Sequence, residues 1–81
     1  MIKVLFFAQI RELVGTDYLE VSSEYPTVAH LRQALLEKGE RWKLALEESK
    51  LLVAVNQSFV HAEHPLRDGD EVAFFPPVTG G

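Results

Sequence analysis

The stretch "PTVAHLRQALLEKG", residues 26–39, decides how the rest of this chain is arranged. Thr27 is a residue type that caps a helix N-terminus by accepting a backbone N–H, and Gly39 is the type that closes one. Between them Val28, Leu31 and Leu35, with Ala34 at the margin, recur at helical spacing and form one apolar stripe. A helix from Val28 to Lys38 has 11 residues and is roughly 17 Å long. Its stripe needs an apolar surface to lie on, and the segments on either side supply one.

Upstream, "IKVLFFA" (2–8) and "DYLEVS" (17–22) are rich in β-branched and aromatic residues and predict two strands. Between them "AQIRELVG" (8–15) predicts a turn of helix closed by Gly15. Downstream, "RWKLALEE" (41–48) predicts a short second helical piece with Trp42 and Leu46 four apart. Then come "KLLVAV" (50–55) as a buried strand, "NQ" (56–57) as a turn into the short "SFV", and "RDGD" (67–70) as an Asp-Gly turn. "EVAFF" (71–75) is the last strand.

The order is therefore hairpin, helix, three strands. A helical crossover is how a chain returns to lay a parallel strand. Placing the last strand beside the first gives a mixed sheet with the helix across one face. This is an α+β architecture of two layers, the β-grasp or ubiquitin-like arrangement. It predicts a β-grasp domain over residues 1–75 and an extended Gly-Gly tail over residues 76–81.

Composition narrows the function. The chain has 81 residues, 47% of them hydrophobic and 25% charged, which suits one globular domain. It has no cysteine, so no disulfide framework, thiolate metal site or thiol nucleophile is available. Acidic residues outnumber basic ones 12 to 8, and the lysines and arginines are scattered singly. Without a basic stripe to displace phosphate counterions, nucleic acid is not expected as a partner. The N-terminal apolar run is broken by Gln9, Arg11 and Glu12, too soon for a signal peptide or a membrane span. The expected location is the cytoplasm, away from any membrane.

Two aromatic doublets carry the next clue. Ile2, Val4 and Phe6 share one face of the first strand, and Lys3, Leu5 and Phe7 share the other. Val72 and Phe74 likewise separate from Ala73 and Phe75. One helix covers one face, so Phe7 and Phe75 are expected together on the uncovered face, with Phe59 joining from a short neighbouring strand. Such a cluster marks a protein interaction site. The alternative is that the helical piece around Trp42 folds over these rings, or that they are merely half-buried.

The cluster lies where the tail leaves the sheet. Pro76 and Pro77 fix their own φ and push their neighbours toward extended backbone. Pro76, Pro77, Val78, Thr79, Gly80 and Gly81 can together reach roughly 20 Å. Gly80 and Gly81 have no Cβ, so they can thread a channel too narrow for other residues. A carboxylate at Gly81 would stand at the end of a thin probe. The chemistry suited to it is activation as an acyl adenylate and capture by a nucleophile.

With these residues in place, the sequence resembles the family of molybdopterin synthase small subunits, sulfur carriers of the MoaD type. "KVLFFAQIRELVG", "VAVNQ" and "HPLRDGDEVAFFPPVTGG" carry the resemblance, and residues 16–50 fit it in length and pattern. The resemblance implies that an ATP-using adenylyltransferase of the ubiquitin-activating type, MoeB, adenylates the Gly81 carboxylate. Sulfur transfer then gives a thiocarboxylate. It also implies a large-subunit partner, MoaE, in a heterotetramer of two small and two large subunits. There the thiocarboxylate donates sulfur to cyclic pyranopterin monophosphate, two transfers building a dithiolene. By the same resemblance Phe7, Phe59 and Phe75 are interface positions, although the family often has an aliphatic residue where Phe59 stands. No cofactor is expected to be bound by the chain itself.

Other residues carry less. His61 and His64 are three apart, but Pro65 follows at once and the stretch reads as a loop, so no metal site is expected. His30 is expected to face solvent from its helix. Asp68, Asp70 and Glu71 read as a solvated turn, or as rim charges for a partner. No nucleophile–base pair or phosphate-cradling glycine loop is present, so residue chemistry gives the chain no active site of its own. The resemblance implies that it works as the small subunit of a sulfur-transferring complex. Three competing functions remain: a ubiquitin-like modifier joined to lysines through Gly81, a carrier of the thiamine type, and a binding module with an inert tail.

Overall fold

A computed structural model describes residues 1–47 and 51–77. The elements run β1 (Ile2–Phe6), α1 (Ala8–Val14), β2 (Tyr18–Val21), α2 (Val28–Leu36), α3 (Glu40–Leu46), β3 (Leu52–Val55), β4 (Ser58–Phe59) and β5 (Glu71–Phe75). The strands form one sheet in the order β2-β1-β5-β3-β4. Only the central pair β1 and β5 is parallel, and the other neighbours are antiparallel. This is the β-grasp expected from the hairpin–helix–strand order.

Alternation sorts the side chains as read from the sequence. Ile2, Val4 and Phe6 of β1 are buried beside Val72 and Phe74 of β5. Val28, Leu31 and Leu35 of α2 and Leu46 of α3 close over them to make the core. Thr27 caps α2, its hydroxyl accepting the His30 N–H at 3.3 Å. The 61–66 loop satisfies the two preceding donors: Val28 N–H reaches His64 O at 3.1 Å, and Ala29 N–H reaches Ala62 O at 2.8 Å. These bonds tie the start of the helix to the far end of the sheet.

Several boundaries differ from expectation, most by a residue or two at strand and helix ends. α2 ends at Leu36, not Lys38, because the chain tightens into a narrower turn. Glu37 N–H donates to Ala34 O at 3.3 Å, and Lys38 N–H donates to Leu35 O at 3.1 Å. Gly39 does not close α2. It precedes α3 at φ 154° and ψ 179°, a region open almost only to glycine. β1 stops at Phe6, and Phe7 becomes the residue that enters α1. That helix is longer than one turn, and Gly15 closes it as expected, at φ 81° with its N–H on Arg11 O.

Candidate functional site

Phe7 keeps extended backbone, φ −124° and ψ 154°, so the β1 alternation continues through it onto the open face. Ala8 then takes φ 53°, a left-handed value, and turns the chain away from the sheet into α1. On the neighbouring strand the register pairs Leu5 with Ala73 and Phe6 with Phe74, which brings Phe7 level with Phe75. The two rings stack at 4.7 Å between centroids, 6° from parallel. Phe59 of β4 meets Phe75 edge-on at 5.8 Å and 63°. The structure thus brings together all three phenylalanines expected on the uncovered face. Phe59 is 69% exposed and Phe7 39%.

The helical piece around Trp42 does not cover them. Trp42 packs against the core from the opposite face, meeting Phe6 edge-on at 5.4 Å. Phe6 in turn stacks on Phe74 at 6.3 Å. The cluster therefore remains an open apolar patch, of the kind that marks a contact surface.

The patch sits where β5 ends. Pro76 and Pro77 follow Phe75 directly, half-buried and outside any regular element. Val78, Thr79, Gly80 and Gly81 lie outside the described residues.

The acidic turn is structural. The Asp70 carboxylate accepts the Arg67 N–H at 2.8 Å and the Asn56 side-chain amide at 3.0 Å. These bonds hold its carboxyl below the usual range. Asp68 pairs with the N-terminal ammonium of Met1, which also lowers its carboxyl. His30 is exposed with Nδ1 2.7 Å from the Thr27 hydroxyl. Among the described residues no group of three His, Cys, Asp or Glu side chains could hold a metal. No helix among them is long and apolar enough to cross a membrane.

Sequence reasoning missed two features of this face. Tyr18, 50% exposed, stands opposite Leu5 on the outer strand, and period-2 alternation in "DYLEVS" could have found it. Ala8's left-handed backbone carries no such signal.

Comparison with known proteins agrees with this geometry. The family model described as ThiS family matches residues 4–81. The chain is 68% identical over 81 residues to the molybdopterin synthase sulfur carrier subunit of Escherichia coli (strain K12), covering all of both chains. Its fold matches the small archaeal modifier protein 1 of Methanosarcina acetivorans with a TM-score of 0.81 at 27% identity, over 99% of this chain and 95% of that one. It also matches a chain in the complex of subunits 1 and 2 of the molybdopterin-converting factor from Helicobacter pylori 26695. That match has a TM-score of 0.72 at 30% identity, over 99% and 97% of the two chains. With a family model spanning nearly the whole sequence and full-length identity to a carrier subunit, the chain belongs to the ThiS family, among its molybdopterin synthase sulfur carrier subunits.

Proposed function

We propose that this chain carries sulfur as a thiocarboxylate on Gly81 and delivers it to a pterin precursor inside a large-subunit partner. The observation that carries the reading is the Phe7–Phe59–Phe75 patch, open to a partner at the root of the tail. A partner seated there would receive the tail at a defined place. The Helicobacter pylori relative supports this, since its structure is a complex of subunits 1 and 2.

In the proposed cycle the Gly81 carboxylate oxygen attacks the α-phosphorus of ATP on an activating enzyme and expels pyrophosphate. Sulfide then attacks the acyl carbon and displaces AMP, leaving the thiocarboxylate. In the synthase the thiocarboxylate sulfur bonds to a precursor carbon and displaces an oxygen leaving group. Water then cleaves the resulting thioester, returning the Gly81 carboxylate and leaving the sulfur on the pterin. The carrier binds no cofactor of its own; ATP belongs to the activating enzyme, a relative of ubiquitin-activating enzymes. The working assembly is two small and two large subunits in the cytoplasm, with no nucleic acid or membrane involved.

Reach from the sheet is what the tail must supply. Deleting Gly81 pulls the carboxylate back by roughly 3.5 Å. Misplacement by about 1 Å can cost two orders of magnitude in rate. Appending one residue after Gly81 places its acyl carbon in a peptide bond and removes the group to be activated. Both variants are expected to fold and to bind the large subunit. Pterin product should fall at least about 100-fold in an assay reconstituted with activating enzyme, ATP, sulfide, large subunit and precursor. Near-normal product from the deletion would reduce the chain to a binding module.

One observation favours a second reading: the likeness to a small archaeal modifier protein. A modifier shares the adenylate but ends in an amide to a lysine. Intact mass of the protein from cells separates the two, by replacement of one oxygen with sulfur or by higher-mass conjugates.

A further inference from the structure

The open face does not end at the phenylalanines. Register carries one row of side chains across all five strands: Tyr18 opposite Leu5, Leu5 beside Ala73, Ala73 opposite Ala54, and Ala54 opposite Phe59. At about 4.8 Å between strands, this row is roughly 19 Å wide. Ala54 and Ala73 are buried at its centre, although neither belongs to the core cluster on the other face. The row is therefore apolar from one sheet edge to the other, with an exposed aromatic at each end.

We infer that the partner bound by the phenylalanine patch also covers this row to the β2 edge, and that Tyr18 is its second anchor. The inference rests on the proposed partner-binding role of that patch. Area argues for it. A phenylalanine can bury about 200 Å², so three partly exposed rings offer on the order of 300 Å². A stable interface takes roughly 800 Å² from each partner. The remainder has to come from the tail and from neighbouring surface, and among the described residues the row through Leu5 to Tyr18 carries the patch across to the β2 edge.

Tyr18 is suited to anchoring. Its ring has the apolar body and polar tip that interfaces favour, and Lys3 holds its ammonium 5.2 Å from the ring centroid. Lys3 itself lies between Glu20 and Glu71 on the two flanking strands. Two acidic positions flanking one basic one leave this border of the row net negative. The partner's matching surface is therefore apolar at its centre and cationic beside Glu20 and Glu71.

The test measures binding of the full-length carrier to the purified large subunit by calorimetry, for wild type, Tyr18→Ala, Tyr18→Phe and Phe75→Lys. Tyr18→Ala is expected to weaken binding about 10-fold with an unchanged melting temperature, since the ring lies outside the core. Tyr18→Phe is expected to stay within about 3-fold of wild type, because the ring body is kept. If Phe75→Lys loses binding while Tyr18→Ala binds as wild type, the footprint stops at the phenylalanines and this inference fails alone. If Phe75→Lys also binds as wild type, the underlying reading of the face is what fails.

Discussion

Phe6 and Phe7 are adjacent, as are Phe74 and Phe75, yet the members of each pair meet different fates. Phe6 and Phe74 are 1% and 0% exposed in the core, while Phe7 and Phe75 stack on the opposite face of the same two strands. The chemistry of the four side chains is identical. What separates them is the pleat, which sends neighbours to opposite faces, and a helical layer that covers one face only. Among the described residues sixteen hydrophobic ones are buried, and no polar side chain is. The core stabilises the domain, and the open face is left to contact something else.

The strongest way to break this comparison is to truncate the two members of one doublet. Phe74→Ala removes a fully buried ring and leaves a cavity, at a cost of about 3–5 kcal/mol. A domain of this size has roughly 4–12 kcal/mol in total, so much of its stability would go. Phe75→Ala should cost less, about 1–2 kcal/mol, because its ring is only half-buried and what it gives up is chiefly its contacts with Phe7 and Phe59. Urea unfolding followed by Trp42, the single tryptophan and a neighbour of Phe6, reads both. Equal losses from the two variants would mean that the faces are not distinct.

The converse experiment reads partner binding. Phe75→Lys puts a charge at the centre of the stacked cluster and should weaken association with the large subunit by about 10- to 100-fold, from the 1.5–3 kcal/mol of a buried ring. Phe59→Ala should weaken it less, by about 10-fold, since Phe59 lies at the edge of the cluster on a two-residue strand. Neither should shift the urea midpoint as far as Phe74→Ala does. A binding-competent Phe75→Lys would remove the functional meaning of the open face.

How much of this was legible in the sequence depends on the range of the interaction. The side to which each phenylalanine points follows from a period of two, so the pairing of Phe7 with Phe75 is legible in the sequence itself. The capping of α2 by Thr27 was legible for the same reason, being local. Trp42 was not: nothing near it in sequence says that it meets Phe6 rather than Phe7, because that depends on which face α3 crosses. The end of α2 was misread because Gly39 looks like a closing residue, whereas its unusual backbone serves the entry to α3. The roles of Asp70 and Asn56 were hidden because they are 14 residues apart and meet only once β3 and β5 are paired.

That last pair yields the smallest predicted effect and the sharpest test of what keeps the two faces distinct. A one-residue slip of β5 would send Phe75 inward and Phe74 outward. Asn56 and Asp70 stand at the start of β5 and oppose such a slip. Asn56 N–H donates to Glu71 O at 2.8 Å, Glu71 N–H returns to the Asn56 side-chain oxygen at 3.0 Å, and the Asn56 amide donates to Asp70 at 3.0 Å. Asp70→Asn weakens the charge-assisted end of this clamp and should cost about 1 kcal/mol, or roughly 4–8 °C in melting temperature. The cost should depend on pH in one direction. The folded-state carboxyl is held below its ordinary value by the Arg67 N–H and the Asn56 amide, so the unfolded chain takes up its proton first as pH falls. The stabilisation is therefore fully present above about pH 4, the unfolded value, and is lost as pH drops through the lower folded one. Melting curves of wild type and Asp70→Asn should be furthest apart near pH 7 and converge toward pH 2. The depressed Asp68 carboxyl titrates in the same direction in both proteins and cancels in the comparison. A gap that stayed constant from pH 7 to pH 2 would mean that the carboxylate's charge contributes nothing to the clamp, leaving the register to core packing alone.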